Sequence, residues 1–381
     1  MGIKDGWEVR KLGDVCEKTV NIKWQEYENQ VFQYIDLSSV SRTTLTINET
    51  SKITSKNAPS RAKKIIRQND VIFATTRPTL KRVTIVPVKF DNQICSTGYS
   101  VLRNNSDFIL PKYIFYFLRS EVFMQRMENL QRGTSYPAVT DKDVKSTQIP
   151  IPPLTEQKQI VALLDQTFAA IDQAIANLEK NIQNAQELFQ SKLNDVFSQR
   201  GEGWVEKSLG EVCDIKTGKL NANAMVDSGK YTFFTCSRET FQIDKYAFDC
   251  EAILLAGNNA SGDFNVKHFK GKFNAYQRTY VITTKEDNVI NYRFLKYRLE
   301  HHLKRFKEQS VGANTRFLKI GMIKTVPIQL PSFSVQKNIV NNLDQLSEKI
   351  HQADEKYNER LKNLEELKKS ILQKAFNGEL T

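Results

Sequence analysis

Pro152-Pro153-Leu154-Thr155-Glu156-Gln157-Lys158 opens a run that holds no Gly and no Pro from Gln157 to Gln199. Leu164, Phe168, Ile171, Ile175, Leu178, Ile182, Ala185 and Phe189 follow at alternating steps of four and three. That is a heptad seam, and a seam requires a partner helix along its length. Thr155 reads as the N-cap, and Glu156 suits the positive end of the helix dipole. Roughly 43 residues at ~1.5 Å rise make a rod of about 65 Å.

The partner lies in the same chain. At a shift of 179 residues Pro152 falls on Pro331, Thr155 on Ser334, Gln157 on Gln336 and Lys158 on Lys337. Val161, Leu164, Asp165 and Gln166 fall on Val340, Leu343, Asp344 and Gln345, and the closing Phe197 falls on Phe376. Unrelated coiled coils share a seam for generic reasons, but not a Pro-x-x-Thr/Ser-x-Gln-Lys start and a Phe finish at one spacing. The chain is read as an internal duplication.

A second landmark extends the repeat to whole halves. Gly6-Trp7-Glu8-Val9-Arg10-Lys11-Leu12-Gly13-Asp14-Val15-Cys16 recurs as Gly203-Trp204-Val205-Glu206-Lys207-Ser208-Leu209-Gly210-Glu211-Val212-Cys213, now 197 residues on. Between the landmarks each half diverges and shows strand and turn patterns. Val31 to Leu37, Asp70 to Ala74 and Val83 to Val88 read as strands in the first half. Ala252 to Ala256, Lys270 to Phe273 and Thr279 to Ile282 do so in the second. Lys112 to Met127 and Tyr292 to Phe306 read as amphipathic helices, followed by glycine loops at Gly133 and Gly312. The expected fold class is α+β: two mixed, β-rich globules with short helices, joined by two long helices in an antiparallel coiled coil with pseudo-twofold duplication. The expected segments are 1–154, first globule; 155–199, central helix; 200–331, second globule; and 332–381, C-terminal helix. The linker Gln199-Arg200-Gly201-Glu202-Gly203 is too short to travel, so the globules are expected at opposite ends of the coiled coil.

Charge separates globules from rods. The net charge is +12. Residues 1–154 carry +8 and residues 200–331 carry +7, whereas residues 155–199 carry −3 and residues 332–381 are neutral. A polyanion such as DNA would be met by the globules and not by the rods. Five cysteines without a Cys-x-x-Cys pair suit free thiols in a reducing cytoplasm. No apolar run approaches the ~18 residues of a membrane span, and Met1-Gly2-Ile3-Lys4-Asp5 reads as no signal peptide.

Motifs for chemistry are missing. There is no phosphate-cradling Gly-x-x-x-x-Gly-Lys-Ser/Thr, no Gly-x-Ser-x-Gly elbow and no dinucleotide fingerprint. His268, His301, His302 and His351 have no ligand spacing. Asp249, Glu251, Asp263 and Lys267 could in principle build a metal-dependent nuclease, but a basic protein holds many such sets by chance. What the loops do offer is the vocabulary of direct base readout. The candidates are Thr75, Thr76 and Arg77 with Lys81 and Arg82; Asn258 and Asn259 with Lys267, Lys270 and Lys272; and Gln277 with Arg278. The glycine loops add Thr134, Ser135, Tyr136, Asn314, Thr315 and Arg316. Arg61, Lys63 and Lys64 form a plain cluster of the kind that meets phosphates. For each of these the plain alternative is a solvated polar loop.

At this point the residues resemble a known family, the specificity subunits of type I restriction–modification enzymes. The resemblance runs along the whole chain: Trp7 to Cys16, Asp70 to Ala74, Pro150 to Gln157, the central rod and the second copy. The Pro-Pro-Leu-x-Glu-Gln-x-x-Ile junction is its most specific part, with Ile371 to Leu380 similar to the family's C-terminal signature. In the second copy Val335 stands where the acid is usual. The resemblance implies two target-recognition domains, each reading half of a split site in double-stranded DNA. It implies that the coiled coil sets the spacing and docks two methyltransferase subunits. Those subunits would bring S-adenosylmethionine. Restriction subunits would bring ATP- and magnesium-dependent translocation and cleavage, leaving this chain non-catalytic and without a cofactor of its own. Glu156, Gln157, Gln159, Gln336 and Asn338, near the helix starts, are candidates for methyltransferase docking. A stand-alone nuclease or methyltransferase, and a coiled-coil scaffold that binds no DNA, stay open as alternatives.

Overall fold

The computed structural model describes residues 4–199 and 201–380. Met1 to Ile3 of the N-terminal reading, Arg200 of the linker and Thr381 lie outside the described residues. The chain forms two compact units, one running to Leu178 and resuming at Glu359, the other Glu179–Asn358.

In the first unit, Cys16–Glu17, Tyr99–Asn104, Val71–Ala74 and Val83–Ile85 form one four-stranded antiparallel sheet in that order. Ser51–Ile53, Phe32–Ile35, Gln93–Ser96 and Ala62–Ile66 form a second, with one parallel pair between Phe32–Ile35 and Gln93–Ser96. Val71-Ile72-Phe73-Ala74 shows why four apolar residues in a row are needed. Val71 and Phe73 enter the core beneath the helices, while Ile72 and Ala74 enter the core between the sheets. The second unit instead builds one six-stranded sheet from Cys213–Thr217, Thr279–Thr284, Phe248–Ala256, Val266–Ala275, Tyr231–Phe234 and Phe241–Ile243. The alternation recurs there: Ile253 and Leu255 point to one core, Ala252 and Leu254 to the other.

Both landmarks have structural reasons. Glu8–Lys11 pairs with Gln148–Ile151, and Val205–Ser208 with Pro327–Leu330, so each globule's ends meet beside its long helix. Leu12, Val15, Leu209 and Val212 are buried. A Cβ on Gly13 would stand 3.3 Å from the Lys145 carbonyl oxygen, and one on Gly210 3.3 Å from that of Lys324. The glycine lets the chain pass against the short helix of its own unit.

The long helices are Leu154–Ser198 and Phe333–Asn377, 45 residues each. The first starts one residue before the expected cap, so Thr155 lies inside its first turn, as its equivalent Ser334 does in the second. The Pro153 carbonyl accepts from Gln157 N at 2.9 Å, and proline suits this place because helix starts leave N–H groups unpaired anyway. The seam is real: Leu164, Phe168 and Ile171 are buried, and Ile175, Leu178, Ile182, Ala185 and Phe189 are half-buried. Within the first unit, Lys368 pairs with Asp172 at 2.6 Å, while Leu372 and Ala375 join the core of Ile160 and Leu164. The helices therefore run antiparallel there. Within the second unit, Leu193 and Phe197 share a core with Val340 and Leu343, again antiparallel. The closing phenylalanines carry the same duty in both units. Phe376 meets Tyr113 edge-on at 5.1 Å, and Phe197 meets Phe294 at 5.4 Å. The helix expected over Lys112 to Met127 is two, Pro111–Phe117 and Glu121–Leu130. The Ser120 hydroxyl, accepting from Phe123 N at 3.4 Å, restarts it.

Candidate nucleic-acid interface

Loops far apart in sequence meet beyond the end of the central strand of each unit. In the first unit, Thr75 N donates to the Gly98 carbonyl at 2.8 Å, and the Thr75 carbonyl accepts from Val139 N at 2.9 Å. Thr76 bridges Ala138, and Arg77 N donates to the Pro137 carbonyl at 2.7 Å. Arg132 and Ala138 exchange two 2.9 Å backbone bonds and close the Gly133–Pro137 loop. In the second unit, Gly257 N donates to the Arg278 carbonyl at 2.8 Å, and the Gly257 carbonyl accepts from Leu318 N at 2.9 Å. Asn258 pairs with Phe317 and Asn259 with Arg316, and Val311 bridges Phe317. A Cβ on Gly312 would collide with the Thr315 carbonyl, so the second loop turns only with glycine there.

The two backbones are equivalent bond for bond. Ala138 and Phe317, Val139 and Leu318, and Arg132 and Val311 are each 179 residues apart. The side chains presented are not equivalent. The first frame shows Thr76, Arg77, Thr134, Ser135 and Tyr136. Arg77 has a left-handed backbone, φ 50°, and its guanidinium lies 4.8 Å from the Tyr136 ring centre. Tyr136 is 71% exposed. The second frame shows Asn258, Asn259, Asn314, Thr315 and Arg316, with Arg278 lying 5.5 Å from the Phe317 ring. The Asn259 side-chain oxygen accepts from Ser261 N at 2.8 Å, which fixes its own loop. Gln277 donates to the Asn221 side chain at 2.8 Å, and Arg316 to the Ser310 carbonyl at 3.0 Å.

Other candidates fall around or outside these frames. Arg61 and Lys63 are exposed, and the Arg61 carbonyl accepts from Thr97 N at 2.8 Å, one residue from the Gly98 that holds Thr75. Lys81 is exposed and Arg82 half-buried. Lys270 and Lys272 stand three and five residues down the strand from Lys267, opposite Glu251 and Asp249. Lys270 pairs with Glu251 at 3.1 Å, and Lys272 lies 4.9 Å from the Tyr246 ring.

Six of the expected residues are engaged inside the units. Thr75 is buried and its hydroxyl donates to the Gly98 carbonyl at 2.9 Å, so it holds the frame. Lys64 donates to the Tyr99 carbonyl at 2.6 Å and pairs with Asp141 at 3.2 Å, so it is spent inside the unit. Lys267 donates to the Ser237 and Glu239 carbonyls, and burial holds its pKa below the ordinary lysine value. Gln157 is fully buried: its oxygen accepts from Leu110 N at 3.0 Å, and its amide donates to the Phe108 and Pro152 carbonyls at 2.8 and 2.9 Å. Gln336 repeats this with Asn291 N at 2.8 Å and the Val289 and Pro331 carbonyls at 2.9 and 3.0 Å. Glu156 accepts from Lys4 at 2.6 Å and from the Trp7 indole at 3.0 Å, which ties the helix start to the N-terminal landmark. Gln159 and Asn338 are exposed.

The sequence reading passed over Arg238, exposed and paired with Asp263 at 2.7 Å, and Asn221, the partner of Gln277. Arg238 sits in the polar run Thr235-Cys236-Ser237 after a strand, the same signal that flagged Thr75 to Arg77. The acidic set that could have built a nuclease is spent on separate pairs. Glu251 meets His268 and Lys270 while Asp263 meets Arg238, and among the described residues no three potential ligands cluster.

Comparison with known proteins gives a uniform result. The family described as type I restriction modification DNA specificity domain matches residues 4–184 and again 201–363. The chain is 39% identical over 178 residues to the type I restriction enzyme EcoDI specificity subunit of Escherichia coli, covering 47% of this chain and 39% of that one. It is 27% identical over 264 residues to the HindI specificity subunit of Haemophilus influenzae, covering 66% and 55%. The chain thus spans about half the length of these curated relatives. Among solved structures, a chain from a study of complex assembly and conformational transition of the type I R-M system superposes with a TM-score of 0.89 at 29% identity, with all of both chains covered. The HsdS subunit of Thermoanaerobacter tengcongensis gives 0.67 at 30% identity, covering 100% of this chain and 99% of that one.

Proposed function

The chain belongs to the type I restriction–modification DNA specificity family, and from that premise we propose that it is the sequence-reading, non-catalytic subunit of such an enzyme. Each unit reads one half of a split site in double-stranded DNA. The observation that carries this reading is the doubled frame: one backbone scaffold, built twice, presenting different hydrogen-bonding side chains. A duplicated fold that bound the same thing twice would have no need to keep the loop frame and change the side chains on it. In the first unit Thr76, Arg77, Thr134, Ser135 and Tyr136 face the bases, with Arg61, Lys63, Lys81 and Arg82 toward phosphates. In the second, Asn258, Asn259, Gln277, Arg278, Asn314, Thr315 and Arg316 read, with Lys270 and Lys272 adding positive charge.

The long helices set the spacing between the halves and dock two methyltransferase subunits, with Gln159 and Asn338 on accessible faces near their starts. The methyltransferase subunits supply S-adenosylmethionine, the restriction subunits ATP and magnesium, and this chain no cofactor. No helix among the described residues is long and apolar enough to cross a membrane, and all five cysteines are free, which supports a place in the cytoplasm.

The test is a gel-shift and activity assay on the full chain. With its methyltransferase subunits it is expected to shift and methylate one duplex selectively. Alone, it is expected to neither methylate nor cut in the presence of S-adenosylmethionine, ATP and magnesium. Methylation or cleavage that survives removal of every partner would refute the reading.

A further inference from the structure

A third loop adjoins the frame in each unit. It leaves the strand that pairs in parallel within its sheet, Phe32–Ile35 in the first unit and Tyr231–Phe234 in the second. In both units it is tied to the segment that holds the frame, at Gly98 and Tyr99 or at Arg278 and Thr279. The Tyr99 hydroxyl donates to the Asp36 carbonyl at 3.0 Å, and a Cβ on Gly98 would stand 2.9 Å from the Leu37 side chain. The Thr279 hydroxyl donates to the Phe234 carbonyl at 3.3 Å, and the Cys236 thiol to the Arg278 carbonyl at 3.4 Å.

Past these anchors the two loops differ. In the first unit Val40 bridges Ile47, and Ser41 N donates to the Thr46 carbonyl at 3.0 Å. The Ser41 hydroxyl accepts from Thr44 N at 3.1 Å, and Leu45 has a left-handed backbone, φ 54°. This tight turn leaves Arg42, Thr43, Thr44 and Thr46 exposed. In the second unit the loop is the short run Thr235-Cys236-Ser237-Arg238-Glu239. The Thr235 hydroxyl accepts from Ser237 N at 3.2 Å, and the Asn265 amide donates to the Cys236 carbonyl at 2.9 Å. Lys267 donates to the Ser237 and Glu239 carbonyls.

Holding the second loop this way is costly. Lys267 is half-buried, and among the described residues no carboxylate pairs with it. Its ammonium gives up water to hold two carbonyls of an exposed loop. A loop without a duty would leave those carbonyls to solvent. The loop's cation is also held in place. Arg238 pairs with Asp263 at 2.7 Å, and Asp263 N donates to the Asn259 side-chain oxygen at 3.1 Å. An exposed ion pair adds little to stability, but this one fixes the guanidinium against the loop that carries Asn259. Each unit therefore sets one exposed arginine beside its frame, on a loop of its own design. The paired donors of arginine match the O6 and N7 acceptors of guanine in the major groove.

We infer that each unit has a third reading loop, in which Arg42 in the first unit and Arg238 in the second contact a base edge, and that Lys267 is a positioning residue for Arg238. The inference rests on the specificity-subunit reading and extends the reading surface beyond the frame.

The test is competition binding by the full chain with its methyltransferase subunits, using the duplex that the complex methylates and all single-base variants of it. Arg42→Ala is expected to lower discrimination about tenfold at one or two base pairs of the first half-site, leaving the second unchanged. Arg238→Ala is expected to do the same in the second half-site only. Both arginines are exposed, so melting of the chain is expected to stay unchanged. Lys267→Met is expected to lower discrimination at the same base pairs as Arg238→Ala, and the double variant to lose no more than Arg238→Ala alone. Even weakening by Lys267→Met at every base pair would make Lys267 merely structural and overturn its positioning role. Discrimination left intact by either arginine variant would overturn the inference for that unit and leave the specificity reading standing. Binding weakened evenly across all sequences, with a shallower salt dependence, would make the arginine a phosphate contact and overturn it equally. If the unaltered complex prefers no duplex, the specificity reading itself falls, and the inference with it.

Discussion

Gln157 and Gln336 are the residues on which sequence and structure part most clearly. Both stand in polar stretches and read as surface, yet each is sealed under a globule and makes three hydrogen bonds to backbone groups. The usable signal was the repetition of Pro and Gln at one spacing in both copies, which marks a shared duty without saying whether it faces inward. Gln157→Ala would strand a buried N–H and two carbonyls, and it is expected to lower stability by about 1–3 kcal/mol. Gln159→Ala, two residues on, is expected to change little. Urea unfolding of both variants checks the contrast. His302 offers a second test. It is 6% exposed and meets Phe306 edge-on at 4.8 Å. Burial, then the charges of Arg298 and Arg305 with His301, hold its pKa down to about 4. An unfolded histidine takes a proton near 6.5. As pH falls from about 6.5 to about 4 the unfolded chain binds a proton that the folded chain refuses, so stability is lost across that window. His302→Gln is expected to flatten the slope between pH 7.5 and 5 in the same unfolding measurement.

At the scale of elements, local pattern was enough for some features and not for others. Val71 to Ala74 is legible because four apolar residues fit a strand covered on both faces. The two long helices are legible from the seam and the lack of Gly and Pro. The loops were flagged by residue type alone, and nothing in the sequence says that Thr76 pairs with Ala138 or Asn258 with Phe317. Those pairings join residues about 60 apart, and only the sheets bring them together. Nonlocal packing likewise engages Thr75, Lys64 and Lys267, whose hydrogen-bond partners lie 23 to 77 residues away in sequence. Arg77 and Arg278 now have different settings, one over an exposed tyrosine and one over a half-buried phenylalanine. Arg77→Ala is expected to relax base choice in the first half-site by ~1–3 kcal/mol, and Arg278→Ala in the second by a similar amount. Competition binding against single-base variants of the site measures both. Loss that is even across all sequences, with a shallower salt dependence, would make the residue a phosphate contact instead.

For the whole molecule, duplication and charge were readable from the sequence, and they carried the functional reading most of the way. The positive charge sits in the globules, +8 and +7, and not in the helices. What the sequence does not hold is that the first globule builds two four-stranded sheets and the second one six-stranded sheet, since the insertions fall in their divergent middles. Both nevertheless arrive at one loop frame, and this is the ground for the central claim that the units read separate half-sites. The direct test exchanges residues 20–130, which lie within the first unit, for the matching stretch of a relative. The variant is expressed with its methyltransferase subunits, and the host genome is sequenced for methylated bases. The account predicts a methylated motif with one block replaced and the other block and the gap unchanged. A motif altered in both blocks, or an unaltered motif methylated at a lower level, would contradict it.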